Sequence, residues 1–150
     1  MTPEEQLGIS QSPGLPGPQE FEKFLRDRGI EGEMVNKLGF VYLTPDGVSK
    51  MLGRTIASDG VGIPYYDCDG NPLRDERIGQ EYSRVRLLRQ AGQGKYQQPR
   101  NTLPHIYLCP VGWDWKIVRD DAKTAVIITE GEFKAIRANN TKGFEVPVIG

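Results

Sequence analysis

The chain has 150 residues, 19 basic against 20 acidic, for a formal net charge of -1 and a pI near 5.9. That length has room for one domain with a real core or one and a half small ones, and the balance excludes nucleic-acid binding through overall charge, so any such footprint must be local. No apolar run approaches the roughly 18 residues of a membrane span, and the acidic start MTPEEQLGIS reads as no secretory signal.

Residues 1–18 contain SPGLPGP, in which proline and glycine alternate with little to bury, and a flexible tail is expected there. Next, QEFEKFLRDR places Phe21, Phe24 and Leu25 on one face. This predicts a short amphipathic helix over 19–28, ended by Gly29. EGEMVNKLGF predicts a second helix with Met34, Val35 and Leu38 inward and Gly39 as its stop. The two form a helical hairpin in a region spanning 19–60, and TPDGVSKMLGR adds a turn and one more helical turn.

The texture changes at Val61. VGIPYY, YSRVRLL and IYLCP read as strands, and DCDGNP between the first two is rich in turn formers. Residues 90–104 read as a loop with one extended piece around Lys95 and Tyr96. A small, mostly antiparallel sheet is therefore expected over 61–120. From 121 to 150, AVIIT predicts a buried strand, EFKAIRANN a helix, and FEVPVIG the start of another strand. That is the first unit of an α/β sheet, and the fold class is α+β. One such unit cannot cover both faces of a parallel sheet, so the chain is expected to be part of a longer protein.

The stretch AVIITEGEFKAIRANN asks why a strand runs into an acid, a glycine and a second acid. Functional groups gather beyond the carboxyl ends of strands in open α/β sheets, and Glu130 sits at such an end. Gly131 permits a sharp turn and the close approach of a partner. Glu132 falls in the first helical turn, where the dipole favours negative charge. An ordinary βα turn with acids at a helix start accounts for the same pattern.

IITEGEFKA resembles the first motif of the Toprim domain, which is shared by topoisomerases, bacterial-type primases and related nucleases. IPYYDCDG, RVRL, KY, YLCP and EGEFKA stand in the order of Toprim-like proteins of plasmid and phage replication, over roughly residues 20–150. The resemblance implies Mg²⁺-dependent nucleotidyl or phosphodiester chemistry on DNA or RNA. Glu130 matches the motif glutamate, as acid/base or as metal ligand. Carboxylate oxygens suit Mg²⁺, which neutralises phosphate charge. In the family this glutamate works beside an Asp-x-Asp pair on a later strand. No such pair follows here, so the chain by itself is expected to be inactive. Implied partners are single-stranded DNA or RNA, nucleotides, and a helicase domain in a parent chain.

RVRLLR puts Arg84 and Arg86 on one strand face, opposite Val85 and Leu87. With Arg89, Lys95 and Arg100 they form the one local basic cluster. A solvated sheet face explains the pattern equally, and on either reading the arginines are expected to be exposed. As a binding surface, Arg84, Arg86, Lys95 and Arg100 hold phosphate and Tyr96 stacks on a base. Trp113 and Trp115 are expected to pack, with one ring free to stack if exposed.

Other constellations fail on their chemistry. DCDGNPLRDERI has acids or Asn at the first, third, fifth and ninth positions of a calcium loop. However, Pro72 stands where Gly is needed and Ile78 where the bidentate Glu belongs. Asp67 and Asp69 precede the glutamate motif and sit on a turn, so they do not substitute for the later pair. His105 and Cys109, with Cys68 far off, lack the paired spacing of a zinc site, and two distant cysteines fit a reducing, cytoplasmic setting. The leading expectation is part of a primase-like plasmid or phage replication protein. Its rivals are a non-catalytic nucleic-acid-binding or adaptor module and a Toprim-type nuclease.

Overall fold

The structure, a computed structural model, describes residues 17–89 and 94–150. The expected tail lies outside them except for Gly17 and Pro18, as does part of the 90–104 loop. The architecture is α+β. Among the described residues, five helices surround a four-stranded antiparallel sheet, a two-stranded hairpin and a two-stranded parallel pair.

Helix α1, Pro18–Arg26, begins with proline at its first position, where no amide partner is needed. Helix α2, Glu33–Leu38, ends on Gly39 at φ 73°. A side chain at Gly39 would run into the Tyr66 hydroxyl and Pro64, so this position requires glycine for both its backbone and its neighbours. Strand β1, Val41–Leu43, leads to α3, Pro45–Leu52. Here the sequence underestimated the element, which is a full eight-residue helix. Thr44 Oγ1 accepts from the Gly47 amide at 3.2 Å and Gly53 closes the other end.

Strand β2, Gly60–Pro64, and β5, Ser83–Leu87, form the centre of the sheet, whose order is β1-β2-β5-β6 with β6 at Tyr96–Gln97. The hairpin β3, Arg74–Asp75, and β4, Gln80–Glu81, projects between them. The DCDGNP stretch forms the expected turn, with Asp67 Oδ1 accepting the amides of Asp69 and Asn71.

Pairing of Val61 with Arg86 and of Ile63 with Arg84 sets one face of the sheet. Gly60, Gly62, Val85 and Leu87 set the other. Helix α3 covers that second face, packing Val48 and Leu52 on Val85 and Leu87. The face carrying the arginines is covered too. Val61 and Ile63 belong to a cluster with Leu25, Leu38, Phe40, Tyr65, Tyr82, Tyr107, Ala135, Ile136 and Val148. The expectation of exposed arginines is thereby corrected: both are half-buried, because helices lie on both faces.

Helix α4, Trp115–Asp120, was not anticipated. Asp114 caps it, and Trp115 is buried with its indole N–H donating to the Cys109 carbonyl at 2.6 Å. Trp113 is half-buried. Strand β7, Ile127–Ile128, pairs in parallel with β8, Val148–Ile149, across α5, Glu132–Asn139. This is the expected βαβ unit. Its first strand is not buried as expected: Ile127 is 43% exposed and Ile128 78%, because β7 pairs only on its β8 side. The IYLCP stretch, expected as a strand, forms none. Tyr107 alone pairs there, exchanging two backbone hydrogen bonds with Gly150. Asn139 fixes β8 by donating to the Val148 carbonyl at 2.8 Å and accepting its amide at 2.9 Å. No helix among the described residues is long and apolar enough to cross a membrane.

Candidate functional site

The turn from β7 to α5 and the arginine-bearing face of β5 meet in one cleft of about 440 Å³. Its lining includes Arg84, Tyr96, Glu130, Gly131, Glu132 and Lys134. The turn depends on Gly131, whose φ of 85° and ψ of 156° belong to a region open essentially to glycine alone. A side chain there would meet nothing within 4 Å, so the requirement comes from the backbone and leaves open space above the turn.

The two acids of the motif occupy opposite environments. Glu130 is 89% exposed and accepts a hydrogen bond from Lys134 Nζ at 2.8 Å, one helical turn on. That bond and the ammonium charge hold its carboxyl below the usual range. Glu132 is fully buried. Its Oε1 accepts from the Tyr65 hydroxyl at 2.6 Å and from Arg84 at 3.0 Å, while Oε2 has no protein partner. Burial and the Glu132 charge push the Tyr65 phenol far above its ordinary value. Burial alone would lower the Arg84 pKa, but the Glu132 charge together with Tyr65 and Tyr82 outweighs it and raises it. Arg84 is thus neutralised from beneath the cleft.

Around this ion pair lies an aromatic shell. Tyr65 meets Tyr82 and Tyr107 edge to face at 4.9 and 5.1 Å, and Tyr82 meets His105 at 4.5 Å. His105 Nε2 lies 2.7 Å from Asp75 Oδ2, and Asp75 also accepts the amides of Leu103, Arg77 and Ile78. His105 therefore anchors the hairpin through Asp75. Among the described residues, no three His, Cys, Asp or Glu side chains come together. Both cysteines are unbonded.

Beside the cleft, guanidinium groups and rings alternate. Arg84 and Arg86 lie 5.4 and 5.5 Å from the centre of Tyr96. Arg86 also lies 5.0 Å from Phe24, and Arg28 lies 3.5 Å from that same ring. Phe133 supports the row from below, meeting Phe24 at 5.4 Å and Tyr96 at 6.4 Å.

Of the residues selected from the sequence, Glu130, Arg84, Arg86 and Tyr96 converge here. Lys95 is exposed beside β6. Arg100 lies elsewhere, its side chain against Gly53 at the end of α3, the helix covering the opposite face. Tyr96 already has guanidinium neighbours and is half-buried. Phe24, Arg28 and Phe133 were assigned no role in binding by the sequence reading. The i, i+4 spacing of Phe24 and Arg28 was a legible signal for that pair. The commitment of Glu132 to Arg84, across 48 residues, had none.

As a Mg²⁺ site the arrangement is incomplete. Glu130 is the one cleft carboxylate open to a cation, and Glu132 is committed to Tyr65 and Arg84. The described residues do not supply the several oxygen ligands that the ion takes. Comparison with family models, with curated proteins and with solved structures returns no match to this chain.

Proposed function

We propose that the chain is the nucleic-acid-binding and first-motif portion of a primase-like replication protein of plasmid or phage type. The observation that carries this reading is that Tyr96 and Arg84 line one cleft with the Glu130 turn, while Arg86 lies beside it against Tyr96. Guanidinium groups hold phosphate, and an exposed carboxylate at the end of a β-strand is where phosphodiester chemistry would engage a cation. On this reading Mg²⁺ takes Glu130 as one ligand and needs carboxylates that the described residues do not bring to it. Two unbonded cysteines suit a reducing compartment.

The test is fluorescence anisotropy with a labelled single-stranded oligonucleotide across a salt series. Weak binding at low salt is expected, with log affinity falling as log salt rises by about 0.7 for each phosphate neutralised. Arg86→Met should flatten that slope. No binding at low salt by the wild-type chain would overturn the reading.

A second reading, a binding module without chemistry of its own, draws support from the sequestration of Glu132 under Arg84. It is distinguished by Glu130→Gln in any longer form that turns over nucleic acid. Loss of turnover with an unchanged fold favours the enzyme, and unchanged turnover favours the module.

A further inference from the structure

We propose that Arg28, on α1, and Arg86, on β5, together form the phosphodiester-binding pair of this surface, with Arg84 excluded from that role. The inference rests on the nucleic-acid reading above. It adds a residue from a helix with no part in the Glu130 motif and removes the arginine nearest to it.

The geometry separates the three arginines. Arg84 is matched by Glu132, a fully buried carboxylate 3.0 Å away, so its charge is already neutralised. Among the described residues, Arg28 and Arg86 have no carboxylate within ion-pair distance. Arg28 donates to the Phe24 carbonyl at 3.0 Å and Arg86 to the Leu87 carbonyl, and Arg86 also reaches the neutral Tyr96 hydroxyl. They flank one ring, at 3.5 and 5.0 Å from the centre of Phe24. Two like charges are thus held close together on partly desolvated aromatic surface without a counter-ion. The Arg28 pKa is lowered by burial and, next, by the charge of Arg86.

Such a pair is poised for an anion. The cation–π contacts fix the guanidinium planes and reduce the freedom lost on binding, while leaving forked N–H donors for phosphate oxygens. Interleaved rings favour a phosphate that belongs to a nucleic-acid strand over a free ion, because aromatic surface adjoining phosphate donors is what a strand of bases and phosphates matches. The row runs from Arg28 through Phe24, Arg86 and Tyr96 to the Glu130 cleft, giving a strand a path toward the turn.

The test compares salt slopes for the full chain and three variants on one labelled oligonucleotide, with circular dichroism confirming the fold. Arg28→Met and Arg86→Met should each lower the slope by about 0.7 and weaken binding several-fold at the lowest salt. Arg28→Lys should keep the slope, since it keeps the charge. An unchanged slope in Arg28→Met alongside a reduced one in Arg86→Met would overturn the assignment of Arg28 and leave the nucleic-acid reading standing. Failure of the wild type to bind the oligonucleotide would overturn both. If inorganic phosphate at millimolar concentration displaces the strand no better than chloride at equal ionic strength, the strand is the ligand; efficient displacement would assign the pair to free phosphate instead. Binding to phosphatidylglycerol vesicles in preference to the oligonucleotide would likewise overturn the assignment.

Discussion

Two glutamates separated by one glycine show how far residue identity falls short of residue environment. Glu130→Gln removes an exposed carboxylate whose partner is one exposed lysine, and the melting temperature should hardly move. Glu132→Ala leaves the buried Tyr65 hydroxyl and the half-buried Arg84 without their shared partner. It should lower unfolding free energy by about 1–3 kcal/mol, read by urea denaturation, because the buried Tyr65 hydroxyl is left without an acceptor and the half-buried Arg84 without its carboxylate. Equal effects of the two substitutions would show that Glu132 is not buried as described. Asp75 makes a corresponding claim about pH. Burial by itself would raise its pKa, but the hydrogen bonds from His105 and the amides of Leu103, Ile78 and Arg77 outweigh that and hold it below the usual carboxylate value. A carboxyl lowered in the folded state stabilises the fold above its unfolded pKa near 3.8, and that contribution is lost as pH falls through the folded value. Thermal melts between pH 6 and pH 2 should show this acid loss, and Asp75→Asn should flatten it. A melt profile with the same acid limb in the variant would assign that limb to other carboxylates.

At the scale of elements, what the sequence made legible was what is local. The helices over 18–26 and 33–38 were readable because apolar spacing and a terminal glycine sit within a few residues of each other. The βαβ unit was readable from a β-branched run followed by a helical pattern. Helix α3 was underestimated because Pro45 and Gly47 read as turn formers, yet proline at a helix start is pre-organised and Thr44 supplies the cap. Thr44→Ala should accordingly cost about 1 kcal/mol, measured by denaturant titration; no loss would mean that packing of Val48 and Leu52 alone holds the helix. Exposure was the least legible property. Strict alternation in RVRL reads as one wet and one dry face, but helices cover both, and the arginines find rings and a carboxylate in place of water. The reverse error occurred at AVIIT, where an apolar run reads as buried and lies at the open edge of a parallel pair. Neither could be read without knowing which distant segments arrive on each face.

The whole molecule is built around the β2–β5 pairing, which runs in register from Gly60 opposite Leu87 to Pro64 opposite Ser83. One face of this pair contributes Val61 and Ile63 to the larger cluster, which reaches from Leu25 to Val148. The other contributes Val85 and Leu87 to the smaller cluster under α3. The smaller cluster cannot loosen without disturbing strands that the larger one needs. Unfolding should therefore be a single transition, even though the described residues form two apolar clusters and three sheets. This coupling is tested by perturbing one cluster and observing the other. Leu52 is fully buried in the smaller cluster, and Leu52→Ala should cost about 2–5 kcal/mol through lost transfer energy and the cavity left behind. Trp113 and Trp115 lie outside that cluster, and the Trp115 indole is buried against the Cys109 carbonyl of the larger one. If the molecule is one cooperative unit, Leu52→Ala shifts the urea midpoint of tryptophan fluorescence as far as that of far-ultraviolet circular dichroism, with the slope unchanged. If the fluorescence midpoint stays in place while the circular dichroism midpoint falls, α3 and its cluster melt on their own, and the β2–β5 pairing does not couple the two faces.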